Sequence, residues 1–196
     1  MHTAMAVPSP PTKPQLRAHF LAVRRSFARA LSPGLRGELE RQLLRRVLPH
    51  LENASTIAAY HPMRDEIDPG PIVDEILGQG RVAALPWFAA RDATMMFREA
   101  PARDAGPWGV LQPAAEAVAV APEIVLVPLV AADAACSRIG HGKGHYDRAL
   151  SHLRDSGPVR TIGLAWDEQI FEGSIPADAW DIPLDAIASP GRWIER

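Results

Sequence analysis

One short stretch of the chain combines the residue types that hold anions: SRIGHGKGHYDR, residues 137–148. Three glycines, Gly140, Gly142 and Gly144, alternate around Lys143, and glycine lets backbone N–H groups approach an anion closely. A helix that begins after this loop would direct its positive end to the same point. The loop matches neither the P-loop spacing nor the dinucleotide-binding spacing. Its composition nevertheless indicates a phosphate ligand.

The charged neighbours of these glycines bear on the kind of ligand. A glycine loop alone is equally well explained as a tight turn, whereas Arg138, Lys143 and Arg148 favour a bound anion. Asp147 would be an odd neighbour for an anion unless a divalent cation lies between them, because Mg²⁺ is usually held by one or two carboxylates plus substrate phosphates. The alternative is that Asp147 only stabilises a helix N-terminus. Asp181, in the segment WDIPLD, is a second candidate metal ligand.

Lysine is rare in this sequence. Among 21 Lys and Arg residues, only Lys13 and Lys143 are lysines. A compact ammonium group contacts phosphate in a way that the planar guanidinium does not, so the position of Lys143 in the glycine loop supports a phosphate site. Codon bias toward arginine is the alternative explanation.

Length and composition exclude several classes of protein. The 196 residues are 47% hydrophobic and 22% charged, as in a single globular domain. Apolar runs such as residues 124–128 are far shorter than the roughly 20 residues that cross a bilayer, so we expect no membrane span. Cys136 is the single cysteine, which excludes a disulfide within the chain, and the N-terminal stretch lacks the features of a secretory signal. We therefore expect a cytoplasmic protein.

The first third of the chain is basic: residues 13–46 hold nine Lys and Arg against two Glu, although the whole chain has a net charge of −2. Nucleic-acid binding is one interpretation, but the charges alternate with apolar residues, which is typical of the solvated face of helices. Apolar residues at three- and four-residue steps predict a helical pair, the first helix through Leu16, Phe20, Val23, Phe27 and Leu31 and the second through Leu35, Leu39, Leu43, Val47 and Leu51.

Beyond this pair, short apolar runs alternate with helix-like segments. The predicted strands are TIAAY, RVAALPWF, ATMMF, EIVLVP and RTIGLAW, and the predicted helices are PIVDEILGQG and YDRALSHLRD. This alternation favours an α/β fold with a mostly parallel central sheet flanked by helices in three layers, as in Rossmann-like proteins. EIVLVP is apolar on both faces and predicts a central strand. We expect residues 1–12 to be a flexible Pro-rich tail and residues 13–196 to form a single domain.

The position of the glycine loop in this fold follows from the same pattern. Ligands of such sheets gather at the carboxyl ends of strands, and we expect the loop at such an end. Residues 106–113, GPWGVLQP, are predicted to be a connecting loop. The apolar cluster at residues 87–97 favours core packing over a ligand platform, with Trp87 retained as a candidate ligand neighbour.

The segment SRIGHGKGHYDRAL resembles the R-L-G-x-G-x-G-x-Y-D-R signature of the 5-formyltetrahydrofolate cyclo-ligase family, also called methenyltetrahydrofolate synthetases. Further segments resemble the family in the same order and spacing: KPQLR, YHPMRDEID, ALPWF, GPWGVLQP, EIVLVPLVAAD, TIGLAWDEQ and IPADAWDIPLDAI. The resemblance covers residues 13 to about 190. It implies an ATP- and Mg²⁺-dependent closure of 5-formyltetrahydrofolate to 5,10-methenyltetrahydrofolate, with release of ADP and phosphate. We expect ATP and a reduced folate as small-molecule partners, no nucleic-acid or membrane partner, and a monomer.

The resemblance also implies roles for individual residues. The ATP-binding positions are Lys13, Arg17, Arg138, Gly140, His141, Gly142, Lys143, Gly144, His145 and Tyr146. The substrate-binding positions are His61, Glu66, His141, Gly142, Lys143, Gly144 and His145. The metal positions are Asp147 and Asp181, and the predicted catalytic residues are Lys143, Arg138 and Tyr146.

Four residues depart from the family pattern. His145 stands where many members have Tyr or Phe, and Trp180 stands where His commonly precedes the metal-binding Asp. Cys136 replaces a usual Gly, and Gln112 stands where Glu commonly precedes Pro. The changes at His145, Trp180 and Cys136 remove no charged group that the reaction needs. Two alternatives stay open: a related nucleotide-dependent enzyme with another substrate, and a non-catalytic nucleic-acid-binding protein, against which the net acidity argues.

Overall fold

The computed structural model describes residues 10–178 and 180–196, so most of the predicted flexible tail lies outside the described residues. Two helices begin the chain, α1 (Lys13–Ala30) and α2 (Pro33–Val47), and confirm the helical pair. Two further α-helices lie in the described ranges, α3 (Gly70–Gly78) and α4 (His145–Ser156). At the start of α1, the N–H and hydroxyl of Thr12 both donate to Gln15 Oε1 at 2.8 Å, which fixes where the helix begins.

Seven strands of the described residues form the central sheet: β1 (Thr56–Ala58), β2 (Val82–Trp87), β3 (Met96–Glu99), β6 (Ile124–Pro128), β9 (Arg160–Leu164), β11 (Ala186–Ala188) and β12 (Trp193–Glu195). Their order across the sheet is β12, β11, β9, β6, β1, β2, β3. The inner strands are parallel, while β3 and β12 pair antiparallel at the two edges. The segment EIVLVP is β6, the middle strand, as its two apolar faces predict.

Helices cover both faces of this sheet. Leu126 of β6 packs in one buried cluster with Leu43 of α2 and Ile76 of α3. Val125, which points to the opposite face because side chains alternate along a strand, packs in a second cluster with Leu150 of α4. The mostly parallel three-layer α/β fold is therefore confirmed. Across the described ranges, no helix combines the length and the apolar composition that a membrane crossing needs.

A three-stranded sheet stands beside the central one and supports α1. It consists of β10 (Ile170–Phe171), β7 (Ala131–Asp133) and β8 (Arg138–Ile139), in that order. Leu16 and Phe20 of α1 pack on Val130, Ala131 and Ile139. This small sheet corrects one expectation: the glycine loop follows β8 and not a strand of the central sheet, because the chain leaves β6 and forms the β7–β8 hairpin first.

Two other local predictions differ from the structure. Residues 106–113 do not form a plain loop, since β4 (Asp104–Ala105) and β5 (Leu111–Gln112) pair antiparallel around a short helical turn. In α1, the buried side runs through Leu16, Phe20, Arg24 and Ala28 at four-residue spacing. The sequence pattern had favoured Val23 over Arg24 at this point, because an arginine on an apolar stripe needs a buried partner that only the tertiary structure supplies.

Candidate active site

Helix α1 carries three basic residues along one side of the site: Lys13, Arg17 and Arg24. Each contacts a different segment: Lys13 contacts Asp181, Arg17 contacts the glycine loop, and Arg24 contacts Glu66. At 1.5 Å per residue, Lys13 and Arg24 are about 16 Å apart along the helix axis. The helix therefore spaces two ends of one elongated site.

The glycine loop packs against α1 and leads directly into α4. Gly142 and Gly144 have φ angles of +82° and +65°, in the left-handed region where glycine has no steric penalty. Arg17 Nε donates to the carbonyl of Gly140 at 2.8 Å, and a Cβ atom at Gly142 would lie 3.4 Å from Arg17 Cζ. The positive φ angles, rather than lack of space, therefore favour glycine at these two positions. The loop backbone lies at the positive N-terminus of α4.

Lys143 is exposed on this loop, and its ammonium makes no ion pair with the acidic residues of the described ranges. Arg148 donates to the Lys143 carbonyl at 3.1 Å and lies 3.1 Å from His145 Nδ1. Because a guanidinium only donates, Nδ1 must be the acceptor, as in a neutral imidazole. Burial, together with the positive charges of Arg148 and Lys143, lowers the pKa of His145 in agreement with that tautomer.

His145 also belongs to an aromatic cluster with Phe88 and Trp108. The ring centroids lie 5.0 Å apart for His145 and Phe88 and 5.1 Å apart for His145 and Trp108. Trp108 has a φ of +64° and is 44% exposed. Gln112 fixes the backbone of Phe88, accepting from its N–H at 3.1 Å and donating to its carbonyl at 3.2 Å. Glutamine supplies both groups, whereas a carboxylate could only accept.

Trp87, the candidate ligand neighbour, lies in a different environment. It is only 9% exposed, and the guanidinium carbon of Arg98 stands 4.2 Å from its ring centroid. The ring is packed in the core with a cation over it, whereas its Nε1–H is buried without a hydrogen-bond partner among the described residues. Phe88 and Trp108 are the aromatic residues that reach the glycine loop, and sequence reasoning did not select Trp108.

The two candidate metal ligands both pair with cations. Arg138 donates to Asp147 Oδ1 at 2.7 Å. Asp181 Oδ2 accepts from Lys13 and from the Asp178 amide, and Lys13 also contacts Asp178 at 2.9 Å. Burial disfavours the charged forms of Lys13 and Asp181, but the hydrogen bonds and the attraction of opposite charges at this site are stronger. The pKa of Asp181 is therefore lowered and the pKa of Lys13 is raised. In the described part of the chain, each of the two candidate carboxylates makes its hydrogen bonds through a single oxygen.

The carboxylates of Asp147 and Asp181 fit a metal ion whose coordination is completed by oxygen atoms of a substrate. No group of three or more His, Cys, Asp or Glu side chains within the described ranges could hold a metal by itself. Mg²⁺ commonly needs only one or two carboxylates plus phosphate oxygens, which agrees with Asp147 and Asp181. Arg138 and Asp181 also line a cavity of about 60 Å³, enough for a few waters or an ion but not for a nucleotide.

Glu66 forms the inner end of the site and is 3% exposed. Its Oε1 lies 3.3 Å from Arg24 Nη1 and 3.3 Å from His141 Nε2 of the glycine loop, while Oε2 accepts from the Met63 amide at 2.9 Å. The structure therefore brings Glu66 to the glycine loop. His61 is exposed and makes no hydrogen bond with the described residues.

Two polar atoms of the site are buried without a partner. The Tyr146 hydroxyl and Arg138 Nε have no hydrogen-bond partner among the described residues. Burial, followed by the charge of Glu66, raises the pKa of Tyr146 far above its ordinary value, so the phenol stays neutral and can donate. Buried polar groups without a partner are uncommon in native proteins, and a bound ligand is one explanation for them.

Sequence reasoning thus found most residues that gather here, but it missed Arg24, Asp178 and Trp108. Arg24 had a signal: it lies four residues after Phe20, on the buried stripe of an amphipathic helix. Asp178 and Trp108 had none, since their contacts depend on segments that are distant in the chain.

Comparisons with known proteins agree with this geometry. The family model for the 5-formyltetrahydrofolate cyclo-ligase family matches residues 10–190. The 5-formyltetrahydrofolate cyclo-ligase of Mycolicibacterium smegmatis is 30% identical over 95% of this chain and 97% of its own length, and that of Escherichia coli is 28% identical over 86% and 97%.

Two solved structures share the fold. The NMR structure of 5,10-methenyltetrahydrofolate synthetase from Aquifex aeolicus superposes with a TM-score of 0.77 at 29% identity, covering 93% of this chain and 92% of that one. The Mycoplasma pneumoniae enzyme of the same name gives a TM-score of 0.70 at 25% identity, with 91% and 98% covered. From the family match, the relatives and the shared fold, this chain belongs to the 5-formyltetrahydrofolate cyclo-ligase family.

Proposed function

We propose that this protein catalyses the ATP- and Mg²⁺-dependent closure of 5-formyltetrahydrofolate to 5,10-methenyltetrahydrofolate, releasing ADP and phosphate. One observation carries the proposal: α1 and the glycine loop join a cationic, partly exposed end to a buried carboxylate. Arg17 contacts Gly140 at one point of the loop, and Glu66 contacts His141 at the next residue. A nucleotide and a folate held at these two ends would meet over the loop.

The nucleotide phosphates would lie over the glycine loop. Lys143, the N–H groups that open α4 and the unpartnered Arg138 Nε are donors for phosphate oxygens. Lys13 can also contact a phosphate oxygen once that phosphate has displaced Asp178 or Asp181 from the Lys13 ammonium. Backbone and side-chain donors of this kind act mainly by offsetting charge on a transferring phosphoryl group.

Asp147 and Asp181 would hold Mg²⁺, each through the oxygen that its cationic partner leaves free. The ion would supply charge neutralisation on the phosphates. Arg138 and Lys13 would keep the two carboxylates oriented.

The chemistry follows from the weakness of an amide as an electrophile. The formyl oxygen of the folate attacks the γ-phosphate, the bond to ADP breaks, and an iminium phosphate forms at N5. N10 then attacks the activated carbon and loses its proton. The carbon–oxygen bond breaks, phosphate leaves, and the methenyl bridge joins N5 to N10. The protein supplies position and charge for these steps, because no covalent enzyme intermediate is needed.

Glu66 would orient the pterin by accepting N–H hydrogen bonds from its ring. Glu66 suits this role because this residue is only 3% exposed. A ligand that failed to donate to its carboxylate would leave a buried polar group unpaired, at a cost of about 1–3 kcal/mol. The aromatic cluster of Phe88, Trp108 and His145 offers a face for an aromatic ring at the edge of the same loop.

Purified protein with ATP, Mg²⁺ and 5-formyltetrahydrofolate should develop the absorbance of the methenyl product, with one ADP per product. Reactions without ATP or without Mg²⁺ are the controls. ATP hydrolysis that ignores 5-formyltetrahydrofolate but responds to another folate would replace the proposal with a related enzyme of different substrate. Failure of every folate to stimulate turnover, with all components verified, would overturn it.

Nucleic-acid binding is disfavoured because several arginines of α2 form ion pairs within the same helix. Arg36 pairs with Glu40, and Arg41 and Arg45 pair with Glu38, which leaves less free positive charge than the sequence count indicates. A salt-dependent affinity for DNA or RNA tighter than about 10⁻⁶ M would revive this alternative. The cytoplasmic location and the monomeric state stay predictions from the sequence.

A further inference from the structure

Arg24 is an unusual residue for its position, because it is a charged side chain in the core. Its side chain is 7% exposed and that of its partner Glu66 is 4% exposed. One nitrogen, Nη1, donates to both Glu66 Oε1 at 3.3 Å and the carbonyl of Leu129 at 3.2 Å. Gln169 also donates to the Leu129 carbonyl, at 2.9 Å. Arg24 is therefore tied at the same time to the carboxylate and to the segment that follows β6.

Several titratable or charged groups face Glu66 from the elements packed around it: Arg24 of α1, Arg36 of α2, Tyr60 after β1, His141 of the glycine loop and Tyr146 of α4. Arg36 reaches only the main-chain oxygen of Glu66. The charge of Glu66, after burial, raises the pKa of both tyrosines, which stay neutral. The His141 side chain is 40% exposed, so water weakens its effect.

Among these five groups, Arg24 is the one that brings a permanent, buried positive charge to the Glu66 carboxylate. A buried carboxylate that loses its partner is strongly disfavoured in the ionised form. We propose that Arg24 is a positioning residue of the folate end of the site, which holds the Glu66 carboxylate in place and directed at His141 without touching the substrate itself. The inference rests on the proposed function, in which Glu66 accepts hydrogen bonds from the pterin.

The first test compares Arg24→Met with Arg25→Met, an exposed neighbour on the same helix. Equilibrium titration with 5-formyltetrahydrofolate, without ATP, measures the folate end directly. Arg24→Met should weaken this binding by at least about 10-fold, while the KM for ATP changes by less than about 2-fold. Arg24→Lys retains the charge and should fall between the wild type and Arg24→Met. Arg25→Met should bind as the wild type does.

The second test separates positioning from a merely structural role. The double variant Arg24→Met with Glu66→Gln removes both charges and should bind no worse than Glu66→Gln alone, because Arg24 acts through Glu66.

Two results would overturn the inference: equal losses of ATP and folate affinity in Arg24→Met, or additive losses in the double variant. If Arg24→Met fails to fold, Arg24→Lys and the neutral double variant still decide between these outcomes. A wild-type protein that binds 5-formyltetrahydrofolate but forms no methenyl product would refute the proposed function alone, since the binding titrations test Arg24 independently.

Discussion

The two ends of α1 hold their charges in different surroundings. At the outer end, defined by Lys13, Asp178 and Asp181, the side chains are 17%, 47% and 26% exposed. At the inner end, Arg24 and Glu66 are 7% and 4% exposed. A pair with an exposed member, such as Lys13–Asp178, contributes little and opens readily, whereas opening a buried pair leaves an uncompensated charge.

This difference in exposure indicates that the two ends of α1 have different roles in binding. Ion pairs at the outer end can exchange their partners when a phosphate or a metal arrives, which suits a charged co-substrate that binds and leaves. The inner pair stays closed and suits a fixed orientation of a ring. Since α1 is a single helix from Lys13 to Ala30, it holds the two ends at a constant separation.

The largest expected effect lies at the glycine loop, where Lys143 has no acidic partner in the described part of the chain. Lys143→Ala should reduce kcat/KM for ATP by about 10²-fold or more, as loss of a donor to developing charge does elsewhere. Binding of 5-formyltetrahydrofolate without ATP should change far less. Arg91→Ala, which removes an exposed cation outside the site, is the control. Near-normal kcat/KM would remove Lys143 from the mechanism and weaken the contrast between the two ends.

Asp147 tests whether the outer carboxylates exchange a cationic side chain for a metal. Asp147→Asn should raise the Mg²⁺ concentration for half-maximal turnover by about 10-fold, because the amide is a poor ligand for a hard cation. Asp155→Asn, on the exposed last turn of the same helix, should leave the magnesium titration unchanged. If both variants titrate like the wild type, Asp147 serves only Arg138 and the N-terminus of α4.

Asp178 should give a smaller effect with the opposite sign. It competes with incoming phosphate for the Lys13 ammonium, so Asp178→Asn should lower the KM for ATP by about 2- to 3-fold, in line with an exposed ion pair worth at most about 1 kcal/mol. The value of kcat should stay the same. Glu172→Gln, which opens the exposed pair with Arg192, is the matched control. A higher KM in Asp178→Asn would mean that this carboxylate itself helps to bind the nucleotide or its metal.

The fold was predictable where the signal is local. The two apolar faces of residues 124–128 predict a central strand because each face must be covered, and the order of strands and helices then favours a parallel sheet. The β7–β8 hairpin was missed because each strand is only two or three residues long, too short for a periodic pattern. The glycine loop was therefore expected at the carboxyl end of a strand of the central sheet, whereas it follows β8 of the three-stranded sheet.

The candidate site divides in the same way. Residues in the glycine loop are adjacent in sequence, and their types alone indicate an anion. The partners of Lys13 lie 165 and 168 residues away, and nothing local in either segment indicates that they meet. Arg24 is intermediate, because its place on an apolar stripe predicts a buried partner but does not identify Glu66.

The smallest expected effect is at His145, which is half-buried on the glycine-loop side of the site. Burial, then Arg148 and Lys143, lowers its pKa, so the unfolded chain binds a proton at a higher pH than the folded chain does. Stability should therefore fall as the pH drops through the ordinary histidine range, near pH 6.5. Between about pH 7.5 and about pH 5.5, the wild type should lose on the order of 1 °C more in Tm than His145→Tyr, which keeps the aromatic contact with Phe88 and Trp108. His152→Tyr, on the exposed side of α4, controls for the loss of a histidine. If Tm changes equally with pH in the wild type and in His145→Tyr, the His145 ring is solvated in both charge states. The aromatic cluster of Phe88, Trp108 and His145 would then be open to water.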